Sequence, residues 1–266
     1  MSASGEGLGR VLTVALGLCL VCSMVVSTAA VLLKPAQQAN KTLDLKRNIL
    51  MAAGLLDPSR SVEEQFEQVE TRVVNIDEGR FVDGVDPASF DQREAAKDPA
   101  QSRALEGDED PAKLVRREDQ ALVYLVRDDA GGLDKIILPI RGYGLWSTMY
   151  GFMALESDGN TVAGLGFYEH GETPGLGGEI DNPNWKAIWP GKQVYQGDEV
   201  AIQVLKGAVP MGSDEKQWQV DGLSGATLTT KGVDNLVRYW LGDQGFKPLL
   251  ETFDRGQPHE YARHPD

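Results

Sequence analysis

Twenty-three consecutive residues, Val11 to Leu33, carry no formal charge, and about 20 apolar residues are enough for a helix to cross the hydrocarbon core of a bilayer. The run predicts one N-terminal transmembrane helix (11–33) behind a short tail (1–10). A cleaved signal peptide is the alternative, because Ser27-Thr28-Ala29-Ala30 offers small residues to a peptidase. Such a peptide, however, has an apolar region of only about 7–15 residues. Charge leaves the orientation open. Arg10 precedes the run while Lys34, Lys41, Lys46 and Arg47 follow it, which taken alone keeps the rest of the chain in the cytoplasm. That rule weakens where the flank leads into a long domain.

The 266 residues suit one sizeable domain or two small ones. With 26 basic against 40 acidic residues the net charge is −14, which repels polyanions and argues against nucleic acid as a partner. Between Asp57 and Asp119, 18 acidic and 9 basic residues read as a solvated surface. Both cysteines, Cys19 and Cys22, fall inside the apolar run, so no disulfide framework or cysteine-based metal site is expected beyond it.

After the anchor, the apolar pattern of Thr42 to Leu56 predicts a juxtamembrane helix stopped by Asp57-Pro58. Ser61-Val62-Glu63-Glu64 is a capping-box sequence that starts a second short helix. Asp77 to Asp119 is polar and broken by Pro87, Pro99 and Pro111, so surface segments are expected there, closing a helix-and-loop section over 34–120. From Ala121 the composition changes. Residues 121–126, 136–140, 149–155, 161–167 and 200–205 read as strands, and Ser157-Asp158-Gly159-Asn160 reads as a hairpin turn. Val233, Leu236, Val237, Trp240 and Leu241 recur at helical spacing after a Thr229-Thr230 cap signal. The fold class is therefore α+β, a mostly antiparallel sheet with flanking helices over 121–250, followed by a tail (251–266).

Ten glycines fall within the 37 residues from Gly142 to Gly178. Such density marks either a turn-rich sheet or backbone held close to a ligand. The segment Asp221-Gly222-Leu223-Ser224-Gly225-Ala226-Thr227 just precedes the last predicted helix, whose N-terminal N–H groups suit a phosphate. Ser224-Gly225-Ala226-Thr227-Leu228-Thr229 resembles the flavinylation motif of the FMN-binding domain family. Gly142-Tyr143-Gly144-Leu145-Trp146-Ser147 and His170-Gly171-Glu172-Thr173-Pro174-Gly175-Leu176-Gly177 resemble two further blocks of that family, in the same order. Together they cover roughly residues 140 to 240.

Length, the N-terminal span and the long section before the flavin domain are similar to the C-subunit family of the sodium-translocating NADH:quinone reductases. The G subunit of the related Rnf complex is the alternative, and a non-redox, membrane-anchored assembly subunit is another. The resemblance implies covalent FMN on Thr227 through a phosphoester, with the domain on the outer face of the inner membrane. It also implies partner subunits and a flavin transferase using FAD and magnesium, which recognises Asp221, Ser224, Gly225 and Ala226. An aliphatic hydroxyl is too weak a nucleophile to act unaided. Leu145, Trp146, Glu172, Thr173, Leu176 and Gly177 are expected around the isoalloxazine and ribityl chain. Without a Gly-x-Gly-x-x-Gly fingerprint, NADH oxidation is expected to belong to another subunit. Gly222-Leu223-Ser224-Gly225-Ala226 also approximates a nucleophile elbow, with Asp254 and His259 in hydrolase order. Only 42 residues follow Ser224, too few to build the remainder of such a sheet.

Overall fold

The computed structural model describes residues 5–128 and 130–254. Its contacts divide the chain into two units between Leu45 and Lys46. Helix α1 (Gly5–Ala52) begins inside the expected tail and runs without a break through Pro35. In the first unit Val11, Leu16, Leu18, Val31 and Leu32 are all more than half exposed. A helix apolar on every side, with none of that surface buried, is what a membrane span requires, and by length and composition this helix is a candidate.

The juxtamembrane helix expected to run to Leu56 is the end of α1 and stops earlier. Gly54 adopts φ 69°, its N–H bonds Met51 O at 3.1 Å, and Leu55 N–H bonds Leu50 O at 2.8 Å. This is a Schellman cap, in which a left-handed glycine lets the chain turn back on its last carbonyls. The Asp57-Pro58 signal lies beyond it. Helix α2 (Val62–Phe66) starts where expected, with Ser61 Oγ accepting the Glu64 N–H at 3.2 Å. The Glu64 carboxylate pairs with Arg60.

Strands β1 (Val69–Asn75) and β2 (Arg80–Phe81) follow, then α3 (Gln92–Ala95), β3 (Ser102–Ala104) and β4 (Arg116–Glu118). Next come β5 (Gln120–Arg127), β6 (Leu133–Tyr143), β7 (Thr148–Glu156) and β8 (Val162–Glu169). A six-stranded sheet is ordered β2-β1-β5-β6-β7-β8, antiparallel throughout. The 157–160 turn joins β7 to β8 as expected, with Asp158 Oδ1 accepting the N–H groups of Asn160 and Thr161.

One sheet face carries Val123, Ile136, Leu138, Ile140, Met153 and Leu165 into the main core. Helix α4 (Pro183–Lys186), helix α5 (Thr227–Trp240) and helix α6 (Lys247–Asp254) follow the sheet in the chain. Helix α5 packs along β6, burying Val233, Leu236, Val237 and Trp240. The other face holds Tyr124, Phe152 and Tyr168, ring centroids 5.8 and 5.1 Å apart in sequence along the row. The last turn of α1 lies against it. A Cβ at Gly164 in β8 would come within 2.2 Å of Ala52 O, so only glycine admits that approach.

Three expectations change. Strand β1 lies in the section read as helix and loop; its Glu70 and Arg72 conceal a strand whose Val69, Val73 and Val74 are buried. The acidic section is not all surface. It contributes Leu105, Ala112 and Leu114 to the core and fully buries Arg117 and Glu118, which pair with Asp77 and Arg141. Residues 200–205 split rather than form one strand. Glu199–Val200 pairs antiparallel with Tyr195–Gln196, and Gln203–Val204 pairs parallel with Gln219–Val220.

Candidate functional site

Helix α5 starts at Thr227, with Ala226 at the N-cap and no side-chain cap. The cap expected at Thr229-Thr230 is therefore a correction, since both threonines lie within the first turn and are buried. The Thr230 hydroxyl accepts the Leu223 N–H at 3.0 Å, which ties the 221–226 loop back onto the helix. Thr227 and Leu228 point outward and are exposed, as are Ser224 and Gly225, while Ala226 is buried. An exposed hydroxyl thus sits on the turn whose N–H groups have no acceptor supplied by the N-cap side chain. That end of a helix carries partial positive charge and favours an anion.

Asp221 shapes the approach to this turn. Its Oδ1 accepts the Val209 N–H at 2.7 Å, and its carbonyl accepts Trp185 Nε1–H at 2.8 Å. Gly222 follows because a Cβ there would lie 2.0 Å from Leu205 O.

The two glycine-rich blocks converge on the same helix end. Glu172, only 5% exposed, accepts the Leu145 and Trp146 N–H groups on Oε1, both at 3.0 Å. Its Oε2 accepts the Thr229 hydroxyl. Ser147 Oγ accepts the Gly171 N–H at 2.6 Å, a second tie between the blocks. Thr173 caps its own turn by accepting the Leu176 and Gly178 N–H groups on its carbonyl, and its side chain is exposed. Gly177 is buried beside Thr229, whereas Leu176 is exposed and neighbours Gly225. Tyr143, Leu145, Trp146 and Leu228 are exposed as well, Trp146 by 63%.

Of the residues expected at the site, Leu145, Trp146, Glu172 and Gly177 are tied to the first turn of α5, and Leu176 to Gly225 just before it, whereas Thr173 bonds within its own turn and Asp221 bonds Val209 and Trp185. Thr229 is the member that the sequence reading missed. Its signal was present: Val233, Leu236 and Val237 projected back by four or seven residues fall on Thr229 and Thr230, placing both on the buried face. The arrangement fits a phosphate-bearing planar ligand, with a hydroxyl at a helix N-terminus and exposed apolar side chains beside it. The hydrolase alternative does not fit, because the strand before the turn, Gln219–Val220, is two residues long and belongs to a two-stranded pair rather than to the extended parallel sheet that carries a nucleophile elbow. His259 lies outside the described residues.

The site and fold define a flavin-binding class: residues 144–242 match the family described as the FMN-binding domain. Full-length relatives narrow it. The chain is 54% identical over 96% of its length to the C subunit of the Na(+)-translocating NADH-quinone reductase of Pseudomonas aeruginosa, covering 99% of that protein. It is 50% identical over 93% of its length to the C subunit of the Vibrio vulnificus reductase, covering 96% of it. Among solved structures, NqrC of Shewanella oneidensis superposes with a TM-score of 0.75 at 35% identity, over 82% of this chain and all of that one. The C subunit of the Parabacteroides distasonis reductase follows with a TM-score of 0.64 at 31% identity, over 82% of this chain and 96% of that one. The chain belongs to the family of Na(+)-translocating NADH-quinone reductase C subunits.

Proposed function

We propose that this chain carries one FMN covalently on Thr227 and relays electrons between partner subunits of a sodium-translocating NADH:quinone reductase. Flavin supplies the redox chemistry; the chain supplies attachment, orientation and electrostatics. A flavin transferase makes the link. Thr227 Oγ bonds to the FMN phosphorus of FAD, the pyrophosphate bond breaks, AMP leaves and the hydroxyl proton passes to a base of the transferase. The remaining phosphodiester charge lies where the α5 N-terminus favours it.

Of the residues expected around the ring, Leu145, Trp146, Thr173, Leu176 and Gly177 line the flavin on this reading, while Glu172, also expected there, is buried behind them. Asp221, Ser224, Gly225 and Ala226 present the acceptor. Residues 11–33 anchor the chain in the inner membrane, with the flavin-bearing unit on the side opposite the cytoplasm.

The observation that carries the reading is the exposed Thr227 hydroxyl at an uncapped helix N-terminus, among side chains converging from all three motif blocks. Thr227→Val keeps the side-chain shape and removes the oxygen. At an exposed position this should change stability by no more than about 0.5 kcal/mol while abolishing covalent flavin. In-gel fluorescence and peptide mass spectrometry of chain produced with its transferase check this. An adduct on Ser224, or one surviving in Thr227→Val, defeats the assignment.

A further inference from the structure

Among the described residues, Glu172 is the one side chain bonded to residues of both other motif blocks. Its carboxylate receives the Leu145 and Trp146 N–H groups on one oxygen and the Thr229 hydroxyl on the other. Its own N–H is held by His170 Nδ1 at 3.2 Å, and His170 Nε2 is held in turn by Asp181 at 2.8 Å. Space for the carboxylate is made by glycine. A Cβ at Gly144 would lie 2.4 Å from Glu172 Oε1, and one at Gly177 would lie 2.4 Å from Thr229 Oγ1 and 2.7 Å from Glu172 Oε2.

Glu172 is 5% exposed and Thr229 is 1% exposed, so neither side chain is placed to meet a ligand on the outer surface. Hydrogen bonds to a buried carboxylate are among the stronger ones, and losing a donor leaves a buried acceptor unsatisfied. Two residues along an α-helix differ by about 200° in direction. The first turn of α5 therefore presents Thr227 outward while Thr229 fastens it inward.

We propose that Glu172 and Thr229 form a positioning pair that sets the orientation of the flavin without touching it. The pair fixes the backbone bearing Leu145 and Trp146 against the turn bearing Thr227, so that a ring tethered at Thr227 meets those side chains in one arrangement. This rests on the FMN reading of the same site. Breaking the pair should spare the covalent link, since the acceptor hydroxyl and its loop are left intact, and should loosen the ring.

The test uses the full-length chain co-produced with its transferase, as wild type, Thr229→Val, Thr229→Ser and Glu172→Ala. In-gel fluorescence measures flavin occupancy; flavin fluorescence anisotropy and visible circular dichroism measure how firmly the ring is held. Thr229→Val and Glu172→Ala should keep wild-type occupancy, with anisotropy falling and the visible circular dichroism weakening toward that of free FMN. Thr229→Ser, which retains the hydroxyl, should restore both signals. Wild-type anisotropy and visible circular dichroism in flavinylated Thr229→Val overturn the pair. If far-ultraviolet circular dichroism shows that the valine variant has lost its fold, Glu172→Ala decides by the same readouts. A wild-type chain without flavin defeats the FMN reading and this inference with it, an outcome distinct from native spectra in the variant.

Discussion

Asp234 is half-buried on α5, where its Oδ1 accepts the Val204 N–H at 2.8 Å. Burial raises its pKa above the ordinary 3.8, against the opposing pull of that hydrogen bond and of Arg238 and Lys231. The sign of the consequence follows from linkage. A carboxyl whose folded pKa is raised contributes full stability below its unfolded pKa and loses it as pH rises through the folded value. At neutral pH its charge therefore costs stability. Asparagine keeps an oxygen for Val204 and carries no charge, so Asp234→Asn should melt higher than the wild type at pH 7. The difference should vanish below the usual carboxylate range, and thermal melts across pH measure it; a wild type that melts higher at pH 7 refutes it. At this same scale a short motif singles out Thr227 as the proposed acceptor. Helical spacing puts Thr229 on the buried face, but its bond to Glu172, 57 residues away in sequence, was not legible.

Helix α5 meets β6 through small residues, which is why the strand can run on into the site. A Cβ at Gly142 would lie 2.5 Å from Leu236 Cβ, and one at Gly232 would lie 2.7 Å from Tyr143 O. Trp240 Nε1–H closes the other end on Arg141 O at 2.7 Å. Gly142→Ala forces helix and strand apart and should destabilise the domain by about 1–3 kcal/mol, the usual cost of overpacking. Chemical denaturation checks it, and an unchanged midpoint would mean that the helix shifts without penalty. Elements with uninterrupted apolar runs, β5 to β8, were readable in the sequence. Strand β1 was not, because Glu70 and Arg72 sit between its buried valines, and Glu70 is held by Arg127 of the neighbouring strand. The end of α1 was misplaced because Gly54 ends the helix before the proline signal is reached.

The molecule as a whole combines an apolar helix with a second unit, beginning at Lys46, that contains the sheet and the candidate site. If that unit lies opposite the cytoplasm, alkaline phosphatase fused at Asp266 should be active and a fluorescent cytoplasmic reporter at the same point should stay dark. The reverse pattern overturns the topology and moves flavinylation into the cytoplasm. The sequence by itself determined the apolar helix, the α+β class and the three blocks of the site, because each is written in a local run or a contiguous motif. Only the tertiary structure decided that the blocks meet at one helix end, that Arg117 and Glu118 of the acidic section are buried in ion pairs, and that a charged segment supplies a sheet strand. These depend on partners distant in the chain. Burial and pairing of a charge are set by what packs around it, and no local pattern of residue types records that environment.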